Sequence, residues 1–140
     1  MRPIMERRVD ACRRKGFDAI EPDNIDGYAN KSSFPLTYKD QLAYNRMLAR
    51  EAHERDLAIA LKNDTAQVED LVNDFDFAVV EECFAYEECG RCSPFVEDGK
   101  AVFLAEYDTK DMSTKCNRAH RRNFGLIFKR FDLGAWRRVC

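Results

Sequence analysis

Five short apolar runs punctuate the chain at intervals: "FDAIEPD" from Phe17, "LAIALKND" from Leu57, "FAVVEECF" from Phe77, "AVFLAEYD" from Ala101 and "LIFKRFDL" from Leu126. Each is of strand length, and the first four carry little polar character before their ends. Near-continuous apolar character, without clean alternation, suits strands covered on both faces in a parallel sheet. Amphipathic segments lie between the runs, and strand, crossover, strand, repeated, is the pattern of right-handed βαβ units. With 140 residues, 45% of them apolar, the chain fills one compact domain and not two. No linker, low-complexity segment or close repeat interrupts it. Residues 1–140 therefore read as a single α/β domain.

The clearest helix follows Thr37, which caps it, with Asp40 three residues on as a short capping-box partner. Tyr38, Leu42, Leu48, Ala49 and Ala52 fall on one helical face, and Arg46, Arg50 and Glu54 lie off it. Shorter helical patterns occupy residues 67–73 and 112–123. The start, "MRPIMERRVDACRRKG", lacks an apolar core of leader length and reads as an amphipathic helix. Between the third and fourth runs, "YEECGRCSPFVEDGK" is less regular, and Ser93-Pro94 is expected to break it.

Charge narrows the partners. Twenty-three basic and 25 acidic residues leave a net charge of −2, with a pI near 5.8. Bulk electrostatics thus offers no pull on nucleic acid or an anionic membrane, and no apolar run is long enough for a span. Six cysteines (Cys12, Cys83, Cys89, Cys92, Cys116, Cys140) suggest disulfides and an oxidising compartment, although the first residues do not read as a secretion leader. Cys89-Gly90-Arg91-Cys92 lacks both a thioredoxin-type context and a second pair at zinc spacing, so a disulfide role is preferred. His53 and His120 sit in polar helical stretches and read as surface residues. The basic "NRAHRRNFG" complements a helix dipole. Trp136 is expected to pack a last helix onto the sheet.

The ends of the runs share a chemistry. The first ends in Glu21, Asp23 and, just beyond, Asp26; the second in Lys62, Asn63 and Asp64; the third in Glu81 and Glu82; the fourth in Glu106, Tyr107 and Asp108; the fifth in Asp132. In parallel α/β folds the C-terminal strand ends form the ligand-binding face. Carboxylates there are costly to desolvate without a function or a cationic partner. Asp64 and Asp108 suit the capping of following helices. Glu21, Asp23, Glu81 and Glu82 belong to the apolar runs and come too early to cap anything, which favours a functional role. Alternation puts Glu21 and Asp23 on one side and separates Glu81 from Glu82. Two facing carboxylates are the minimal apparatus for cleaving a glycosidic bond: one protonates the leaving oxygen, and the other attacks the anomeric carbon or activates water.

The blocks "GFDAIEPDNIDGY", "FPLTYKDQLAYNRMLAREAHERDLAIALKND", "DFDFAVVEECFAYEEC" and "LGAWRRVC" together resemble glycoside hydrolase family 114, over essentially the whole chain. The resemblance implies a (β/α)8 barrel and endo-α-1,4-polygalactosaminidase activity, with no metal or organic cofactor. It matches Asp23 and Glu81 to the family's catalytic pair. It also matches Glu21, Asn24, Asp26, Lys62, Asn63, Asp64, Glu106 and Tyr107 to positions around the sugar subsites; Tyr28 and Tyr107 are candidates for stacking on sugar rings. A galactosamine polymer carries ammonium groups, and an acidic rim suits such a cationic polysaccharide. The resemblance further implies Cys83–Cys89 and Cys116–Cys140 bridges, and an extracellular or cell-surface location.

Two substitutions depart from the family pattern: Val80 stands in place of Asn, and Glu82 in place of Gln. The first is expected to remove a hydrogen bond to substrate, and the second to raise a neighbouring carboxyl by repulsion. A full barrel takes ~250 residues. By the family resemblance, the five runs are expected to correspond to the fourth to eighth strands, without the first three. The first and fifth strands are then expected to have open edges prone to self-association, with inward residues Ile59, Val79 and Phe103 poorly covered. A non-catalytic remnant or sugar-binding fragment is the alternative function, and a generic acidic α/β binding domain a third.

Overall fold

The computed structural model describes residues 1–31 and 33–140. Helix α1 (Arg2–Arg14) leads into β1 (Ala19–Ile20), and then α2 (Tyr38–His53), β2 (Ala58–Lys62), α3 (Val68–Leu71) and β3 (Phe77–Glu81) follow. Helix α4 (Ser93–Glu97), β4 (Ala101–Glu106), α5 (Met112–Arg121), β5 (Gly125–Phe128) and β6 (Arg138–Val139) complete the order. Strands β1 to β5 pair in sequence order, all parallel; β6 joins β5 antiparallel, with Ile127 opposite Val139 and Phe128 opposite Arg138. The architecture is mixed α/β with a mostly parallel sheet and intervening helices, as the five apolar runs predict.

Local chemistry explains the boundaries. The Thr37 hydroxyl accepts from the Asp40 N–H at 3.2 Å, and the Asp40 carboxylate accepts from the Thr37 N–H at 3.0 Å. This closes the capping box at the start of α2. Pro94 begins α4 instead of breaking the segment, because in the first turn its missing N–H costs no bond. The third helical pattern contracts to a 3-10 turn, Thr65–Gln67, followed by α3.

The core lies between the helices and one face of the sheet. Leu48, Ala49 and Ala52 of α2 are buried, as are Leu71, Phe75 and Phe95. Ala78, Val80, Val102, Leu104, Leu126 and Phe128 supply the sheet's half of this layer. The alternate residues form the opposite face, where Phe103 is 50% exposed and Ile127 37%. Ile59 corrects the sequence expectation. It sits opposite Ile20 with no exposed surface, whereas Ala60 and Lys62, opposite Phe77 and Val79, take the other side of β2. The pleat has period two, so an error of one residue in facing reverses the assignment.

Two further expectations change at the C-terminus. Residues 129–140 contain no helix, so Trp136 packs none; instead the Arg130 guanidinium lies 5.0 Å above its ring. The chain turns back as β6, partly covering the β5 edge that was expected to be open. Disulfides join Cys83 to Cys89 and Cys116 to Cys140, leaving Cys12 and Cys92 free. The second bridge ties the end of the chain to α5.

Candidate active site

The C-terminal ends of β1, β2 and β3 leave the sheet through left-handed backbone at Asn24, at Asn63 and Asp64, and at Glu82. Asn and Asp tolerate this region better than most residues, which explains their recurrence where strand chemistry meets loop geometry. β2 and β3 turn directly after Lys62 and Glu81, whereas β1 ends at Ile20 and runs on through Glu21–Asp23 before turning at Asn24.

Lys62 is the centre. It ends β2 with its side chain 7% exposed, and its Nζ donates to Asp23 Oδ1 at 3.0 Å and to Glu81 Oε2 at 2.9 Å. The other Glu81 oxygen, Oε1, accepts from the Tyr107 hydroxyl. Asn63 Oδ1 accepts from the Glu81 backbone N–H at 2.9 Å, tying the end of β3 to β2. Asn24 Nδ2 lies 3.3 Å from Asp23 Oδ2. Asp23, Asn24, Lys62, Asn63, Glu81 and Tyr107 thus form one connected cluster. Glu21 lies beside it and senses the charges of Lys62, Asp23 and Glu81. A cavity of about 310 Å³ opens next to Glu21 and Asp23, bounded by Met5, Val9, Tyr44 and Leu48 of α1 and α2.

The charges set the protonation states. The Lys62 hydrogen bond lowers the Asp23 carboxyl, against some opposing desolvation. Burial pushes Glu81 up, but the bonds from Tyr107 and Lys62 outweigh it and the net shift is downward. Lys62 is raised, because its two carboxylate partners more than offset its burial. Glu21 moves the other way: partial desolvation raises it, Lys62 opposes, and Asp23 and Glu81 add to the rise. Burial and the Glu81 contact push Tyr107 up to about 12, so its hydroxyl keeps its proton. The Tyr107 ring stacks on Phe131 at 4.7 Å, so one of its faces is already occupied.

Asp26, Tyr28 and Asp64 form a second group. Asp64 is 4% exposed, and its Oδ2 accepts from Asn45 Nδ2 at 2.9 Å; the same amide donates to the Ile25 carbonyl at 3.0 Å. Gln41 Nε2 in turn donates to Asn45 Oδ1 at 2.9 Å. Burial, with help from Asp26, pushes the Asp64 carboxyl up to about 7, although Tyr28 and Asn45 pull the other way. The sequence reading did not single out Gln41 and Asn45. The available signal was two amides four residues apart on the apolar side of α2, preceding Leu48, Ala49 and Ala52.

Several expectations change here. Asp64 holds the N-cap position of the 3-10 turn but makes no side-chain cap, since its carboxylate is engaged by Asn45. Asp108 does not cap α5 either: Asp111 occupies that position, and Asp108 binds the Lys110 N–H and Lys115 Nζ. Glu106 faces the helix layer, fully buried, where its Oε1 accepts from the Phe84 N–H at 3.0 Å. It therefore lies apart from the Lys62 cluster. Val80 is buried on that same side, so an amide in its place would not reach a ligand at the strand ends. The charge of Glu82 raises Glu106 and Tyr107, not Glu81.

Comparison with known proteins adds the context for this cluster. The family model described as "Glycoside-hydrolase family GH114" matches residues 1–140. The chain belongs to glycoside-hydrolase family GH114. Among solved structures, that of Aspergillus fumigatus Ega3 in complex with galactosamine superposes with a TM-score of 0.91 at 34% sequence identity. The match covers 99% of this chain and 60% of the Ega3 chain. No curated protein matches. Together, the GH114 assignment and the Ega3 match identify the parallel β/α array as part of a (β/α)8 barrel, with the Lys62 cluster at the C-terminal ends of its strands. That is the face on which such barrels carry their active sites.

Proposed function

We propose that the protein hydrolyses α-1,4-galactosaminidic bonds in a galactosamine-rich polysaccharide, with Asp23 and Glu81 as the carboxylate pair. The observation that carries this reading is Lys62, whose single ammonium bonds both carboxylates at adjoining strand ends. The two contacts are 3.0 and 2.9 Å, so the nearest oxygens of the pair lie no further apart than their sum.

Family membership and the galactosamine bound to Ega3 support an amino-sugar substrate. A protonated amino sugar suits a site where Glu21, Asp23 and Glu81 outnumber Lys62. Glu21, Asn24, Asn63 and Tyr107 are read as the binding shell. The Glu106 carboxylate supports the loop after β3 through Phe84. The two disulfides, together with family membership, favour a secreted or cell-surface protein. No described helix is long and apolar enough to cross a membrane.

The test is hydrolysis of partly deacetylated galactosaminogalactan by the parent, by Asp23→Asn and by Glu81→Gln, with fold matched by circular dichroism. Oligosaccharide release by the parent, reduced at least 10³-fold in both variants, is the expected result. A folded parent that releases nothing favours a second reading, a sugar-binding fragment. The 50% exposure of Phe103 on the inner face of the sheet gives that reading its footing.

A further inference from the structure

Residues 129–137, between β5 and β6, turn back on themselves. The Leu133 N–H donates to the Arg130 carbonyl at 2.9 Å, the Gly134 N–H donates to Asp132 Oδ1 at 3.0 Å, and Arg130 covers the Trp136 ring. The base of this loop is tied by the pairing of β6 on β5, by the Cys116–Cys140 bridge and by the Lys129 N–H, which donates to the Glu106 carbonyl at 2.9 Å. Phe131 projects from the loop with 75% of its surface exposed. A single exposed apolar side chain is ordinary. This one, however, lies almost parallel to the Tyr107 ring, with centroids 4.7 Å apart and planes 22° from one another. Stacked aromatic pairs at that separation attract one another beyond the area they bury.

Tyr107 directly follows β4 and is only partly buried. Its hydroxyl donates to Glu81 Oε1, while Lys62 Nζ donates to Oε2 at 2.9 Å. One bond to each oxygen fixes the plane of the carboxylate. With the lysine bond alone, the group is free to turn about its terminal torsion, which has broad, weakly restrained minima. Burial raises the Glu81 carboxyl, and the bonds from Tyr107 and Lys62 more than offset it, with Asp23 opposing them; Glu21 senses the Glu81 charge in turn. Lys62, Asp23 and Glu21 belong to β2 and to the turn after β1, so Tyr107 is the group that holds Glu81 from the β4 side.

Resting on the hydrolase reading above, we propose that Phe131 is a positioning residue for Glu81: its ring holds Tyr107 in place, so that the tyrosine hydroxyl stays on Glu81 Oε1. The effect passes through Tyr107. Because that hydrogen bond favours the charged carboxylate, losing it makes Glu81 hold its proton more tightly.

The experiment is a carbon NMR titration of the Glu81 side-chain carboxyl, run beside the pH dependence of polymer hydrolysis. It compares the parent with Phe131→Ala, Phe131→Tyr, Tyr107→Phe and the Phe131→Ala/Tyr107→Phe double variant, with thermal melts as the check on fold. Phe131→Ala is expected to tighten proton binding by Glu81 roughly two- to tenfold, the span to which the coupling of an aromatic pair converts. The limb of the hydrolysis profile governed by Glu81 moves to higher pH with it. Phe131→Tyr keeps the stacked ring and stays close to the parent. Tyr107→Phe has at least as large an effect, and adding Phe131→Ala to it changes Glu81 no further, because the two act in series. Unchanged proton binding in a folded Phe131→Ala, or the same increment with and without the Tyr107 hydroxyl, overturns the proposal. A parent that hydrolyses polymer while Phe131→Ala leaves Glu81 unmoved overturns the positioning alone. Titrations coupled as expected in a folded parent that hydrolyses nothing support the positioning and overturn the hydrolase reading.

Discussion

At the scale of single residues, Lys62 sets the electrostatics of the candidate site. Removing it as Lys62→Met takes away the hydrogen bonds that lower Asp23 and Glu81. Both carboxyls are then expected to titrate at higher pH, with at least a tenfold loss of hydrolysis; carbon NMR of the side-chain carboxyls and steady-state assays measure the two effects. The linkage has a definite sign. Carboxyls lowered by folding contribute stability above their ordinary values and lose it as pH falls. Lys62→Met therefore lowers the melting temperature near neutral pH, and the difference from the parent shrinks towards pH 3. Asp64 has the opposite sign, since its carboxyl rises from 3.8 to about 7 on folding. Its contribution is present below pH 4 and is lost as pH rises through 7. Relative to Asp64→Asn, the parent is expected to lose more than ~1 kcal/mol, several degrees in Tm, between pH 4 and pH 8. Thermal melts of the pair across that range measure it.

At the scale of elements, caps and cross-links decide where the chain turns. Thr37→Ala opens the capping box of α2 and is expected to cost about 1 kcal/mol, a few degrees in Tm by calorimetry. Cys116→Ser releases the C-terminus from α5 and with it the antiparallel pairing of β6 on β5. We expect a loss of about 3 kcal/mol, with hydrogen exchange accelerating first at Ile127 and Val139. The apolar runs made β2 to β5 legible, because each is a dense stretch bounded by polar residues. β6 was not legible: "RRV" carries no strand pattern, and only the Cys116–Cys140 bridge and the open β5 edge draw it into the sheet.

At the scale of the molecule, the sheet has one face covered by helices and one in contact with solvent. Phe77 and Phe103 meet edge-to-face at 6.0 Å on that open face, and Phe103 lies over Gly125, where a Cβ would come within 3.2 Å of its ring. Isolated exposed apolar residues are ordinary, but a contiguous apolar sheet face marks an interaction surface. We therefore expect concentration-dependent self-association of this chain in sedimentation velocity. It should weaken in Phe103→Ser, with little loss of stability because that side chain is half exposed already.

The sequence by itself determined the parallel β/α order, the helix starting at Thr37 and the gathering of acids at strand ends, because these are local patterns of period, cap and punctuation. Its resemblance to a known family supplied the pairing of Cys83 with Cys89 and of Cys116 with Cys140. The tertiary structure decided which acids meet. It brought Asp23 and Glu81 to the same lysine, turned Glu106 away beneath the helices and buried Asp64 against Asn45. Contacts of this kind depend on strand register and on loops that close only in three dimensions. A carboxylate at the end of a strand looks the same in sequence whether it faces the ligand or the core.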